Sequence, residues 1–445
     1  MASMSKVALV VPKGSKYGKN PYMKSFMESN TVVPTFYGAW ETPNLSLLTL
    51  AALFPPSYEL RFIDEDHGEE IPFDEDFTLA AVTGMTQQAP RAYEICKRFR
   101  ERGCYTVMGG IHASMLCEEA LHYADTVMCG EGEETLFRFL TDFEAGSPKR
   151  VYRAERLTNL RLSPVPRYDL LNPSLYGSYS LQTTRGCPRT CSYCTLPVIY
   201  GSRYRHKTAE QVIKELRAIK RVTAAPFVFF ADDNMFIRRD SALKLLRLLR
   251  DEEIYWGTQT DISVGEEPEI LALLRDAGCR WLFIGFENPS GGSLATLDKN
   301  KWKAGMSQRY ERLTANIQAA GVQIWGSFLF GTDEDGADVF EKVLEFVQSN
   351  GIYSGSFTIL TPLPGTQLFC EMEAAGRIAD YDWSRYTFWD VVYRPKHMTA
   401  DELMRGVAWI YDKFYNTEAA AYRMASLRRN LRNNRRAGAA ANKNV

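Results

Sequence analysis

The stretch Arg185-Gly186-Cys187-Pro188-Arg189-Thr190-Cys191-Ser192-Tyr193-Cys194 decides the reading of this chain. It carries three cysteines in a C-x3-C-x2-C spacing. A single tight loop of that length can wrap three thiolates around one cuboidal iron–sulfur cluster. Three sulfurs satisfy three irons, whereas a saturated electron-transfer cluster takes four cysteines. The fourth iron stays open to a small molecule. Structural zinc is the competing use of clustered cysteines, but it needs four protein ligands, usually as two separated pairs. The nearest further donor, His206, lies twelve residues beyond Cys194.

Working outward, the loop follows an apolar run, Leu181–Thr184. Five more runs follow it: Phe227–Phe230, Trp256–Thr260, Trp281–Phe286, Gln323–Phe330 and Ser356–Leu360. Stretches with helical spacing separate them, such as Ala209–Lys220, Asp240–Asp251 and Met306–Ala320. Six βα units are too few for a closed eight-stranded barrel. They predict a partial (β/α)6 barrel over residues 179–375, with its site at the C-terminal ends of the strands.

Upstream, residues 1–145 alternate the apolar runs Lys6–Val11, Tyr58–Ile63, Leu79–Thr83, Tyr105–Met108 and Thr126–Met128 with helical stretches. That alternation predicts a doubly wound, Rossmann-like parallel sheet, so the fold class is α/β. Ligands of such sheets sit at the strands' carboxyl ends. Those ends carry Pro12-Lys13-Gly14, Thr83-Gly84-Met85, Gly109-Gly110 and Gly130-Glu131-Gly132, where glycine admits a large flat ligand. Residues 146–178, with Pro148, Pro164, Pro166 and Pro173, read as a linker strapped across the surface. Residues 376–445 read as a small aromatic and helical region. It includes an amphipathic helix over Ala400–Tyr415 and a frayed basic tail from Arg428 to Val445.

The bulk properties fit this plan. A chain of 445 residues suits two or three domains. A formal net charge of -1 gives no general attraction to nucleic acid or to an anionic membrane. No apolar run approaches the roughly 18–20 residues of a membrane span. The N-terminus lacks the layout of a signal peptide, so a cytoplasmic location is expected. Met1-Ala2-Ser3-Met4 reads as a cloning remnant ahead of a natural start at Met4. Nine cysteines, an odd number in a large chain of this type, do not read as a disulfide framework. Cys96, Cys104, Cys117, Cys129, Cys279 and Cys370 stand singly and read as buried small hydrophobes.

The loop resembles that of the radical S-adenosylmethionine (SAM) superfamily, with an aromatic residue, Tyr193, before the last cysteine. The resemblance implies a [4Fe–4S] cluster on Cys187, Cys191 and Cys194, and SAM chelated at the open iron. It implies that Tyr193 lies near the adenine. Asp232 and Asp233, in Phe230-Ala231-Asp232-Asp233-Asn234, would accept from the SAM ammonium; a helix N-cap is an equal and compatible use of that segment. Gln259 and Glu287, at the ends of the third and fourth strands, would touch ribose or substrate, and Gly326 would contact the adenine.

A doubly wound domain before such a barrel resembles the cobalamin-dependent class of the superfamily. The matching residues are Gly109-Gly110-Ile111-His112-Ala113, Glu118-Glu119-Ala120 and Gly130-Glu131-Gly132-Glu133. Thr83, Gly109, Gly110, His112, Gly130 and Gly132 are then the expected cobalamin contacts. Many cobalamin domains carry Asp-x-His-x-x-Gly after the first strand. Here the loop reads Pro12-Lys13-Gly14-Ser15-Lys16-Tyr17-Gly18, and His67 and His112 lie elsewhere. The lower cobalt face is therefore expected to lack a histidine.

The implied reaction is C-methylation of an unactivated carbon in a small molecule of natural-product, lipid or tetrapyrrole type. One SAM serves as methyl source and a second as radical source. A flavodoxin or ferredoxin is the expected electron donor. Cyclisation, rearrangement or oxidation without methyl transfer is the alternative enzyme reading, and an iron–sulfur or SAM-binding protein the non-enzymatic one. The aromatic segment Tyr381–Trp389 stands outside the strands and is the candidate lid or pocket wall, whereas Trp281, Phe283 and Trp325 read as barrel interior.

Overall fold

The computed structural model describes residues 5–15, 18–33, 40–224, 226–289 and 292–425. Residues 1–4, which include the stretch read as a cloning remnant, and the segment read as a basic tail lie outside the described residues. The chain builds two six-stranded sheets, and every pairing within them is parallel.

The first sheet contains β1 (Ser5–Val11), β2 (Tyr58–Asp64), β3 (Leu79–Val82), β4 (Tyr105–Met108), β5 (Thr126–Cys129) and β6 (Val151–Arg153). Its order is β2-β1-β3-β4-β5-β6, so the chain reverses direction across the sheet between β1 and β3. That is the switch point at which doubly wound sheets open a crevice. β6 falls inside the stretch read as linker. Its pairing with β5 extends the sheet past residue 145. The rest of that stretch forms three single 3-10 turns, pinned by the buried Leu160, Tyr168, Leu171 and Tyr176.

The second sheet contains β7 (Tyr179–Leu181), then β10 (Phe227–Phe230), β11 (Tyr255–Thr260), β12 (Cys279–Glu287), β13 (Gln323–Phe330) and β14 (Ser354–Ile359). A small antiparallel pair, β8 (Thr184–Arg185) with β9 (Arg205–His206), stands between β7 and β10. The order β14-β13-β12-β11-β10-β7 runs through the chain without reversal, which makes it an open (β/α)6 barrel. Its first strand stops at Leu181, earlier than the apolar run suggested, and Thr183 and Thr184 turn into the cluster loop.

Alternation along the strands sorts side chains onto two faces. Phe286 and Phe328 face the helices, where they meet Tyr310 and Phe346. Phe229, Trp281, Phe283 and Trp325 face the barrel interior. There Trp40, delivered by the N-terminal region, packs on all four, with ring centroids 4.6, 5.6, 5.0 and 5.3 Å away. The expected reading of Trp281, Phe283 and Trp325 as interior holds, and Trp40 fills the space between them and Phe229.

One continuous apolar core joins the two sheets. It runs from Val7, Leu9 and Leu79 through Tyr168, Tyr176 and Tyr179 into the barrel. The other face of the first sheet has a core of its own around Phe99, Ile95 and Val127. The segment read as a lid instead straps the C-terminal region onto the first domain. Trp383 donates its indole N–H to Glu119 at 2.8 Å, Asn20 donates to the Trp389 carbonyl at 2.7 Å, and the Lys19 amide donates to Asp390 at 2.9 Å. Tyr386 within it is fully buried. Trp40→Ala empties the barrel interior and is expected to lower stability by about 3–5 kcal/mol, seen as a lower urea midpoint with an unchanged slope.

Candidate functional site

The cluster loop leaves β8 through Gly186, whose φ is +88°. A Cβ at this position would lie 2.5 Å from the Arg203 carbonyl oxygen, so only glycine permits the close passage of the two segments. The Gly186 amide donates to Asp233 at 2.9 Å. Further along, Cys191 bridges Asp298 in antiparallel fashion, and Thr190 donates to Asp298 at 3.1 Å. The Ser192 amide donates to Leu297, and the Ser192 carbonyl accepts from Leu368. The loop is thus held from three sides before any ligand arrives.

Cys187, Cys191 and Cys194 are free and half-buried, whereas the lone Cys96, Cys104, Cys117, Cys129 and Cys279 are buried. Cys370 departs from expectation and is exposed. Burial pushes all three loop thiols up, Cys194 to about 12, so a cationic centre is needed to hold them as thiolates. Among the described residues no three His, Cys, Asp or Glu side chains gather around one ion. A cubane asks for something else, one sulfur on each of three irons, and three thiols spaced along one anchored loop fit it.

The sequence-nominated SAM residues separate into two groups. Asp233 is half-buried, leaves Oδ1 without a partner among the described residues, and faces the loop; burial raises its carboxyl to about 6. Gln259 is half-exposed near the end of β11. Tyr193 lies beside Glu287 and Lys303, its hydroxyl 3.4 Å from the Lys303 ammonium. Glu287 ends β12 with φ +60°, an unusual conformation for a residue with a side chain, and its carboxylate pairs with Lys303. Burial opposes the charge on Lys303, but Glu287 outweighs it and holds the ammonium protonated.

The other two do not reach the site. Asp232 is fully buried and accepts from the amides and hydroxyls of Thr183 and Thr184 at 2.5–3.0 Å. It fastens β10 to the start of the loop and has no face left for an ammonium. Gly326 sits on the helix side of β13, where a Cβ would strike the Phe328 ring at 2.7 Å. Its smallness serves core packing.

At the β1/β3 switch point of the first sheet lies an open cleft. Thr83, Gly109, Gly110, Gly130 and Gly132 all line it. Gly110 has φ +90°, and a Cβ there would meet Thr83 Oγ1 at 2.6 Å. The second domain closes the cleft with Arg185, Ile199 and Tyr200, so the cleft and the cluster loop share a wall. A glycine rim and a mainly aliphatic floor of Leu9, Leu79 and Val107 suit a flat corrin. His112 does not line it. Its ring is fully buried, Nε2 contacts the Tyr93 hydroxyl at 2.9 Å, and Trp383 packs edge-on. Tyr93 donates its proton to Glu119, so His112 Nε2 donates in turn, and burial holds the imidazole down to about 4. Among the described residues no histidine lines the cleft.

Sequence reasoning missed Lys303 and the partners of Arg185. Lys303 belongs to Asp298-Lys299-Asn300-Lys301-Trp302-Lys303, which looks like a solvated charged run. Arg185 and Glu131 stood inside motifs already singled out, but nothing in the sequence pairs them.

A loop of three anchored thiols at the mouth of a partial barrel, sharing a wall with a glycine-rimmed cleft, defines a radical SAM enzyme with a second ligand site. The radical SAM superfamily profile matches residues 181–347. A bacteriochlorophyllide d C-12(1)-methyltransferase from Chlorobaculum tepidum is 30% identical over 405 residues, covering 89% of this chain and 88% of that protein. A hopanoid C-2 methylase from Rhodopseudomonas palustris is 30% identical over 354 residues, covering 76% of this chain and 66% of that protein. In fold, the chain matches the radical SAM methyltransferase TsrM from Kitasatospora setae, solved with cobalamin and a [4Fe–4S] cluster. The TM-score is 0.67 at 16% identity, over 93% of this chain and 90% of that one. The chain belongs to the radical SAM superfamily, in its cobalamin-dependent methyltransferase class.

Two outcomes follow. Replacing Cys187, Cys191 and Cys194 by alanine abolishes iron and sulfide uptake and the visible absorption of the cluster. Lys303→Met strands the buried Glu287 charge and costs about 3–5 kcal/mol in unfolding free energy, while Lys303→Met combined with Glu287→Met recovers most of it.

Proposed function

We propose that this protein methylates an unactivated carbon on the periphery of a tetrapyrrole-class substrate. The observation that carries this reading is the extent of the match to the bacteriochlorophyllide d C-12(1)-methyltransferase, nearly end to end in both chains. The bacteriochlorophyllide d C-8(2)-methyltransferase of the same organism is also similar, 29% identical over 77% of this chain. Bound in their sites, the cluster supplies one-electron cleavage of SAM and cobalamin a transferable methyl group.

The residues of the chain bind and orient. Cys187, Cys191 and Cys194 hold the cluster. Asp233 offers its uncommitted oxygen to the SAM ammonium; with a carboxyl raised to about 6, it gains most from a cationic partner. Gln259 and Glu287 face the ribose, and Tyr193 the adenine. Lys303 keeps Glu287 in place. Thr83, Gly109, Gly110, Gly130 and Gly132 form the corrin rim. The substrate lies between the rim and the cluster loop, the only geometry in which one carbon meets both reagents. A flavodoxin or ferredoxin delivers the two electrons that each turnover consumes. No described helix is long and apolar enough to cross a membrane.

The test is anaerobic reconstitution with iron, sulfide and hydroxocobalamin, followed by turnover with SAM, a reductant and bacteriochlorophyllide d. The expected result is a product one methylene heavier, with S-adenosylhomocysteine and 5′-deoxyadenosine formed in equal amounts. Deoxyadenosine without S-adenosylhomocysteine would instead favour cyclisation, rearrangement or oxidation. Protein that elutes from gel filtration without corrin absorbance would remove the methyl-transfer reading.

A further inference from the structure

Arg185 occupies the junction of the two cofactor sites. In sequence it directly precedes Gly186-Cys187, and in space it lines the cleft. Its side chain is only 10% exposed. Nη1 donates to Glu131 at 2.8 Å, Nη2 to Glu133 at 2.6 Å and Nε to Gln182 at 2.7 Å. Glu131 and Glu133 flank Gly132 on the corrin rim, and their side chains are 2% and 11% exposed. Arg205, paired with Arg185 across β8 and β9, reaches the second oxygen of Glu131 at 2.7 Å. Two guanidinium groups and two carboxylates thus balance to zero charge away from water. Burial alone would raise Glu133, but Arg185 outweighs it and holds the carboxyl below its ordinary value.

This is more than a tie between domains, because neither end is free to adapt. On the loop side, Gly186 is wedged against Arg203 and pinned by Asp233, so a displacement of Arg185 is passed directly to Cys187. On the rim side, Glu131 also accepts from the Thr158 amide at 2.7 Å, and Arg205 donates to the Thr158 carbonyl at 2.8 Å. The planar fork of Arg185, with one Nη on each carboxylate, fixes angle as well as distance.

We infer that Arg185 is a positioning residue: through Glu131 and Glu133 it sets the distance and orientation between the corrin rim and the cluster loop. This rests on the methyl-transfer reading, which places a corrin in the cleft. A purely structural ion pair would add only stability, and its loss would leave the geometry between the two sites unchanged.

The test reads that geometry without needing the substrate. Wild-type protein is reconstituted with iron, sulfide and hydroxocobalamin and reduced with dithionite. The microwave-power saturation of the cob(II)alamin EPR signal is then measured with and without the cluster. The reduced cluster is a fast-relaxing spin, so its proximity makes the cobalt signal harder to saturate. Arg185→Met, loaded to the same cobalt and iron content, is expected to lose that effect. Arg185→Lys, which reaches only one carboxylate, retains part of it. Arg239→Met, which breaks an exposed pair with Glu267 and Glu269, leaves it unchanged. If Arg185→Met does not load, Glu133→Gln carries the test and is expected to give a partial loss. A loaded Arg185→Met protein, or in its place a loaded Glu133→Gln protein, with the wild-type saturation curve would overturn the assignment. Wild-type protein that takes up no corrin gives no cobalt signal at all, which overturns the methyl-transfer reading and this inference with it.

Discussion

Four buried charges with no net sum hold the two halves of this molecule in register. Arg185 and Arg205 come from the small antiparallel pair that leads into and out of the cluster loop; Glu131 caps and Glu133 opens the helix Gly132–Glu144 that follows β5. Away from water such a set is stable only when complete, since each unpaired member carries a desolvation penalty of several kcal/mol. The shared apolar core brings the sheets together over a broad area, but apolar contact is not directional. The charges supply the direction. Gly186, Asp233 and the loop thiols take their places from that fixed point.

Much of this was legible in the sequence because it rests on spacing. Two series of apolar runs at βα intervals give two parallel sheets, and both are found. A C-x3-C-x2-C loop after a strand has few other uses, and it stands where expected. The glycine pairs Gly109-Gly110 and Gly130-x-Gly132 mark places where the backbone must come close to something flat, and all four residues line the cleft.

What stayed hidden depends on direction and on partners distant in sequence. Asp232 and Asp233 are neighbours of identical chemistry, yet one turns into the threonines of the preceding strand and the other toward the loop. Gly326 was misread although strand parity held the answer. Trp325 points inward, so the residue after it points out to the helices. His112 sits beside the glycine rim in sequence, but the short helix beginning at Gly110 carries it inward to Tyr93 and Trp383. β6 has only three residues between polar neighbours, too few to show a period. The aromatic strap over Tyr381–Trp389 looked like a lid because nothing in its composition reveals that Trp383 finds Glu119 across more than half the chain.

Cys370 gives the molecule an experimental handle. Among the described residues it is the exposed thiol that lies outside the cluster loop. It rides on the helix Gln367–Ala374, whose Leu368 amide grips the Ser192 carbonyl between two cluster ligands. Once iron has engaged the three loop sulfurs, a maleimide dye or nitroxide finds one accessible attachment point. A label placed there rides on the helix that grips the loop, so its mobility follows the loss of the metal centre when iron is stripped away, in protein with its natural cysteines intact.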